Sequence, residues 1–177
     1  MDEPLRLVPD ADSPLDAAER SRDFEELVHA EHGGLYSALC LITREGGEAE
    51  DVMQEAFLKV WERWDRVREM DDPTGYLYRT ALNLNRKRLR RASVAIRRSI
   101  GLRPSRDSLV EIETRDAVVR ALGGLTARQR ESVVLSDLMG YSSEEAGQLM
   151  GIKAATARVL ASQGRAALKR NAGDTDE

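Results

Sequence analysis

The sequence predicts an all-α protein made of two small helical domains joined by a flexible linker, the second ending in a helix-turn-helix. Three observations carry this. Apolar residues recur at the 3.6-residue spacing of one helix face through most of the chain. Ser108 with Glu111, Thr126 with Gln129, and Ser142 with Glu145 each have the spacing of a capping box, in which two side chains satisfy free amides at a helix start. Residues 93–107 lose the periodicity and hold Gly101, Pro104 and several serines, the composition of a linker. No alternating apolar run bounded by turns is long enough to predict a sheet.

The predicted order is a mobile acidic tail over 1–22, a first domain over 23–92, the linker over 93–107, a second domain over 108–171 and a short acidic tail over 172–177. In the first domain Phe24, Leu27, Val28, Leu35 and Leu39 mark one helix, with Gly33-Gly34 expected to loosen its middle. Gly46-Gly47 breaks the chain. The clearest helix follows, where Ala49, Val52, Met53, Ala56, Phe57, Val60, Trp61 and Trp64 form one apolar stripe and leave Asp51, Gln54, Glu55 and Glu62 off it. Asp72 can cap and Pro73 can begin a further helix, which runs to Arg91 with Leu77, Ala81 and Leu84 inward and Leu89 a weaker candidate for the same face. The second domain is predicted to hold helices at about 109–122, 127–138, 143–149 and 153–170, stopped by Gly123-Gly124, Gly140 and Gly151.

Charge is distributed unevenly. The net charge is −4, yet residues 1–75 carry −12, residues 76–106 carry +10 without a single acid, and residues 107–177 carry −2. Ten uncompensated positive charges in the middle segment would attract a phosphate backbone by counterion release, whatever the whole-molecule charge. The single cysteine, Cys40, sits in an apolar run and excludes an internal disulfide framework. The N-terminus lacks a basic region followed by an apolar one, and no apolar stretch is long enough to span a bilayer, so a reducing cytoplasm is expected. Signatures of catalysis are missing: there is no Gly-rich phosphate loop, no GxSxG and no HExxH. His29 and His32 lie three apart, but no acid or cysteine cluster supplies further metal ligands. No cofactor, metal or small-molecule substrate is expected.

Two stretches suit nucleic acid. The helix pair around Met150-Gly151-Ile152 has helix-turn-helix dimensions, which would put Lys153, Ala155, Thr156 and Arg158 at base edges and Arg165, Lys169 and Arg170 nearer phosphates. The basic helix 76–91 combines Tyr76 and Tyr78 with Arg79, Asn83, Arg86, Lys87 and Arg90, and Trp61 and Trp64 end the preceding helix. Aromatic rings stack on unpaired bases while arginines hold the backbone. The alternative for Trp61, Trp64, Tyr76 and Tyr78 is a place in the core.

Taken together, these parts resemble the extracytoplasmic-function (ECF) group of sigma-70 factors, which keep only the two domains called regions 2 and 4. The stretch Glu48–Trp61, with Asp51, Gln54, Glu55 and Phe57 matching position by position, is similar to region 2.2 and implies docking on the clamp of the largest RNA polymerase subunit. Pro73 to Asn83 with Leu89-Arg90-Arg91 resemble regions 2.3 and 2.4. They imply that Trp64, Tyr76, Tyr78, Arg79, Asn83, Arg86, Lys87 and Arg90 meet the minus-ten element, with the loop 65–72 pocketing an extruded base. Leu125 to Glu131 and the helix-turn-helix resemble region 4, which implies contact with the polymerase flap and reading of the minus-thirty-five element through Lys153, Ala155, Thr156, Arg158, Arg165 and Lys169. Here Val159, Leu160, Ser162 and Gln163 replace residues that commonly meet DNA, so an atypical upstream element is expected. The resemblance further implies promoter DNA and core polymerase as partners, a nucleoid location, and an anti-sigma factor that could hold the protein at a membrane. From residues alone, a stand-alone helix-turn-helix regulator and a helical adaptor for acidic partners stay open.

Overall fold

A computed structural model describes residues 14–98 and 113–173, and every described element is helical. They are α1 (Pro14–Thr43), α2 (Gly46–Trp61), α3 (Trp64–Val67), α4 (Pro73–Arg98), α5 (Glu113–Gly123), α6 (Ala127–Val133), α7 (Ser143–Met150) and α8 (Ala154–Gly173). Residues Val134–Leu138 prolong α6 as a π-helical turn.

Two boundaries differ from expectation. The tail reading covered 1–22, whereas α1 begins at Pro14; residues 1–13 lie outside the described residues. Asp16 favours a helix N-terminus and Ala17 to Arg20 are good helix formers, preferences that an acidic composition hides. Tertiary contacts fix the turn as well: Arg20 pairs with Asp65 at 3.0 Å and lies 4.9 Å over the Trp61 ring. Likewise α4 continues to Arg98 past the expected break at 93, because Ser93 to Arg98 contain neither glycine nor proline. The capping box of Ser108 and Glu111 lies outside the described residues. The other two form in full, with Thr126 and Gln129 opening α6 and Ser142 and Glu145 opening α7.

The N-terminal core is where α1, α2 and α4 meet. Leu35, Leu39, Val52, Ala56, Val60, Leu77 and Ala81 are almost wholly buried there, each large aliphatic contributing roughly 1.5–3 kcal/mol. Gly34 does not interrupt α1: a Cβ there would come within 3.1 Å of the Tyr78 hydroxyl, so the glycine admits that ring. Asp72 caps α4 as expected, its Oδ1 accepting from the Gly75 amide at 2.7 Å. In the C-terminal domain α8 packs across α6 and α7. Ser132 donates to the Ala157 carbonyl at 2.7 Å, and Gly151 turns the chain between α7 and α8 at φ 66°.

The two domains touch through α1 and α4 on one side and α6 and α7 on the other. Arg130 is the principal tie. Its guanidinium donates to the carbonyls of Leu122 (3.0 Å), Leu125 (2.9 Å) and, in the N-terminal domain, Ile42 (2.8 Å). Burial and the neighbouring Arg44 lower its pKa to about 10, still above physiological pH. Beside it Glu131 is fully buried, its carboxylate 3.7 Å from Arg86 and 3.5 Å from Arg128. Burial pushes the Glu131 carboxyl above the usual carboxylate range, although the surrounding arginines pull it back.

Two outcomes follow for stability. Arg130→Ala takes the guanidinium from the buried carbonyls of Ile42 and Leu125 and leaves that of Leu122 with the Leu125 amide alone, and is expected to cost about 3 kcal/mol or more, read from the midpoint of urea unfolding. A carboxyl raised in the folded state contributes stability that is complete below its unfolded pKa and is lost as pH rises through the folded one. Glu131→Gln should therefore flatten the fall in melting temperature of the parent protein as pH rises from the ordinary glutamate value towards neutrality; an unchanged slope would show that Glu131 is not the group responsible.

Candidate nucleic-acid interface

Helix α4 sorts its basic residues by face. Arg79, Asn83, Lys87 and Arg90 fall at spacings of four, four and three and are all exposed, so they form one solvent-facing stripe. Asn83 is already oriented: its Oδ1 accepts from Arg86. Tyr76, half-buried, lies at the start of the stripe and accepts from Arg63 at 3.3 Å.

Three residues expected on this surface lie elsewhere. Trp64 is 3% exposed, packs its ring against Phe24 and donates its indole N–H to the Arg20 carbonyl at 3.0 Å. Tyr78 is also core, edge-on to Tyr141, and burial, aided by Tyr141 and Glu31, raises its hydroxyl pKa. Arg86 turns away from solvent to the Met150 carbonyl at 2.7 Å. The physical reason is shared: the N-terminal extension of α1 and the approach of α7 cover positions that, on an isolated helix, would be open. The loop expected at 65–72 begins as the short helix α3, whose Val67 is buried.

On α2, Asp51 and Gln54 are exposed, while Glu55 and Phe57 are half-buried. Phe57 stands edge-on to Phe24 and, with Leu58 (63% exposed), Met53 and Trp61, lines a groove of about 640 Å³ between α1 and α2. Arg88 reaches over from α4 and holds the acids as a group, 3.1 Å from Glu55, 3.4 Å from Glu48 and 3.6 Å from Asp51. No sequence argument assigned that role to Arg88; its place four turns along a helix from Asp72 gave no hint of which acids it would meet.

The third surface is the start of α8. Lys153, Ala155, Thr156 and Arg158 are exposed, as is Lys169 further along, while Ala157 and Ala161 face inward. Arg165 is exposed but paired with Asp137 at 2.9 Å. Val159 is 53% exposed, an apolar patch within a face otherwise suited to DNA. Among the described residues, no group of three or more His, Cys, Asp or Glu could hold a metal, and no helix is long and apolar enough to cross a membrane.

A helical domain with an acidic-apolar groove and a basic stripe, followed by a helix-turn-helix, is the architecture of a two-domain sigma-70 factor. Residues 27–94 match the family model of sigma-70 region 2, and residues 115–168 that of sigma-70 region 4. The chain is 30% identical over 167 residues to the ECF RNA polymerase sigma factor SigM of Mycobacterium tuberculosis, covering 92% of this chain and 85% of SigM. It is 30% identical over 173 residues to the RNA polymerase sigma factor CarQ of Myxococcus xanthus, covering 89% and 97%. Among solved structures it resembles the Bartonella quintana sigma factor RpoE in complex with the anti-sigma factor NepR, at 20% identity, TM-score 0.69, and coverage of 84% of this chain and 96% of that one. It also resembles CnrH in complex with the cytosolic domain of CnrY, at 25% identity, TM-score 0.65, and coverage of 91% and 96%. The chain belongs to the ECF RNA polymerase sigma factors, which bind core polymerase and direct promoter-specific transcription initiation.

Proposed function

We propose the following division of labour within that activity. The exposed face of α2, with Asp51, Gln54, Glu55 and Phe57, docks on the clamp of the largest polymerase subunit. The α4 stripe of Arg79, Asn83, Lys87 and Arg90, with Tyr76 at its start, holds the non-template strand of the minus-ten element. The N-terminal half of α8, with Lys153, Ala155, Thr156 and Arg158, reads the minus-thirty-five element, while Lys169 meets phosphate and the rest of the domain contacts the polymerase flap. The chain performs no chemical step itself and works in the cytoplasm at the nucleoid. An anti-sigma factor is a further partner, by analogy with RpoE in complex with the anti-sigma factor NepR.

The observation that best supports this reading is the α4 stripe: three cations and one pre-oriented amide on a single face, on a helix packed directly against α2. Cations neutralise phosphates without reading sequence, whereas an amide edge can pair with a base. Trp64, Tyr78 and Arg86 keep a place in this reading as supports beneath the surface, and Arg165 joins it on release from Asp137. Run-off transcription with purified core polymerase tests the whole; failure to support initiation at every promoter tried, with duplex binding intact, would leave only a DNA-binding regulator.

Two substitutions separate the surfaces. Asn83→Ala is expected to slow promoter opening by about 1–3 kcal/mol, on the order of tenfold, while affinity for core polymerase holds; permanganate reactivity of unpaired thymines against core-binding titrations decides it. Arg158→Ala should weaken protection of the upstream duplex in a footprint and leave the melted region's extent intact, and an unchanged footprint would remove α8 from upstream recognition.

A further inference from the structure

Arg44 closes α1 in a conformation that side chains rarely adopt. Its φ is 67°, the left-handed region that glycine ordinarily takes at a helix end, and among the described residues no other non-glycine residue has a positive φ. Its amide donates to the Cys40 carbonyl at 2.9 Å, and its guanidinium reaches α5, where a Cβ on Gly123 would lie 2.7 Å from Nη1. That puts it beside Arg130, which donates to the carbonyl of the adjacent Leu122 at 3.0 Å and whose pKa it helps to lower. Glu131, the acid next to Arg130 in the chain, pairs with Arg86 and Arg128 instead. Two like charges are thus held together, one of them against backbone strain.

Both arginines line a cavity of about 320 Å³ at the junction of the end of α1, the middle of α4 and the start of α6, together with Asn85 and Arg88. Asn85 is 3% exposed, and among the described residues its amide nitrogen has no acceptor. A buried donor in that position is costly and calls for an acceptor that the chain does not supply. Glu45 and Glu48 line the cavity too, but Glu48 is held by Arg88 at 3.4 Å. Three cations therefore face two acids, and the positive excess falls to Arg44 and Arg130.

We propose that this cavity binds the phosphoryl group of a small anion, held by the guanidiniums of Arg44 and Arg130 with the Asn85 amide as a further donor. Guanidinium is the side chain best matched to phosphate, because its planar fork donates two parallel hydrogen bonds to two oxygens. Arg130 uses one N–H for each of its three carbonyls, so two of its five remain. A phosphoryl group brings three strong acceptor oxygens, more than a carboxylate can offer to so many donors. The volume lies at the lower end of that of small-molecule sites and suits a ligand of metabolite size. The donor set draws on neither the α2 docking face nor the exposed stripe of α4, so the site stands or falls apart from the reading of those surfaces.

The test titrates the full chain with inorganic phosphate, pyrophosphate and AMP at constant ionic strength, by calorimetry and by thermal unfolding, with chloride as the control for screening. The site predicts saturable binding of at least one of the three and a melting temperature that rises with its concentration. Arg44→Gln removes the charge at similar length, and Asn85→Leu removes the amide at similar volume; each is expected to weaken binding by about tenfold or more. Arg22→Gln, at an exposed arginine early in α1, should leave it unchanged. Circular dichroism checks that each variant is folded, and because Arg44 is exposed its variant carries the test if Asn85→Leu does not fold. The ranking of the probes identifies the source: AMP tighter than phosphate assigns an ester, pyrophosphate tightest a diphosphate, and equal affinities free phosphate. No saturable binding of any probe, unchanged affinity in Arg44→Gln, or an equal loss in Arg22→Gln overturns the site. Binding that Lys87→Gln abolishes and Arg44→Gln spares belongs to the α4 stripe and overturns it as well.

Discussion

Three carbonyl oxygens, from Ile42, Leu122 and Leu125, converge on the guanidinium of Arg130, and the relation between the halves of the molecule depends on that convergence. Each carbonyl lies near the end of a helix or at a turn, where regular hydrogen bonding has run out. A single planar group with a fixed fork of donors satisfies all three at once, which an ammonium on a flexible stem could not do with the same geometry. The end of α1, the end of α5 and the entry to α6 therefore meet at one side chain.

The same economy governs the basic segment of α4. Ten positive charges over residues 76–106 read as one electrostatic feature in the sequence. Among the described residues these charges divide by helical angle. Arg79, Lys87 and Arg90 remain in solvent; Arg88 binds the acids of α2, and Arg86 crosses to the other domain. Arg88 neutralises part of the charge on the α2 face proposed to dock on polymerase and at the same time ties that face to the helix proposed to hold DNA, so the two faces share one support. A charge that serves packing is unavailable to a phosphate until its partner leaves, which is why the count of arginines overstates the free binding surface.

Much of the fold was legible in advance. The apolar stripe of α2, the Asp72-Pro73 start of α4 and the capping boxes at Thr126 and Ser142 are local signals, decided within a few residues by helix geometry and by amides that need partners. The exposed members of the candidate surfaces, Asp51 and Gln54 on α2, Asn83 on α4 and Arg158 on α8, follow from the same periodicity. Trp64 and Tyr78 did not, since an aromatic at the edge of a stripe can turn either way until the element that covers it is known. Phe24, Arg20 and Tyr141 supply that cover from distant parts of the chain.

What the sequence by itself determined is the helical class, the order of elements, the family and the faces of α2, α4 and α8 that meet solvent, because each is written in spacings shorter than two helical turns or in motifs that persist as contiguous residues. What only the tertiary structure decided is which cations are free. Arg86 meets Met150, Arg88 meets Glu55 and Arg130 meets Ile42 across 64, 33 and 88 residues of sequence, and no local pattern records these pairings. A buried charge is placed by whichever acceptors the completed packing leaves unsatisfied, and those exist only once the helices have met.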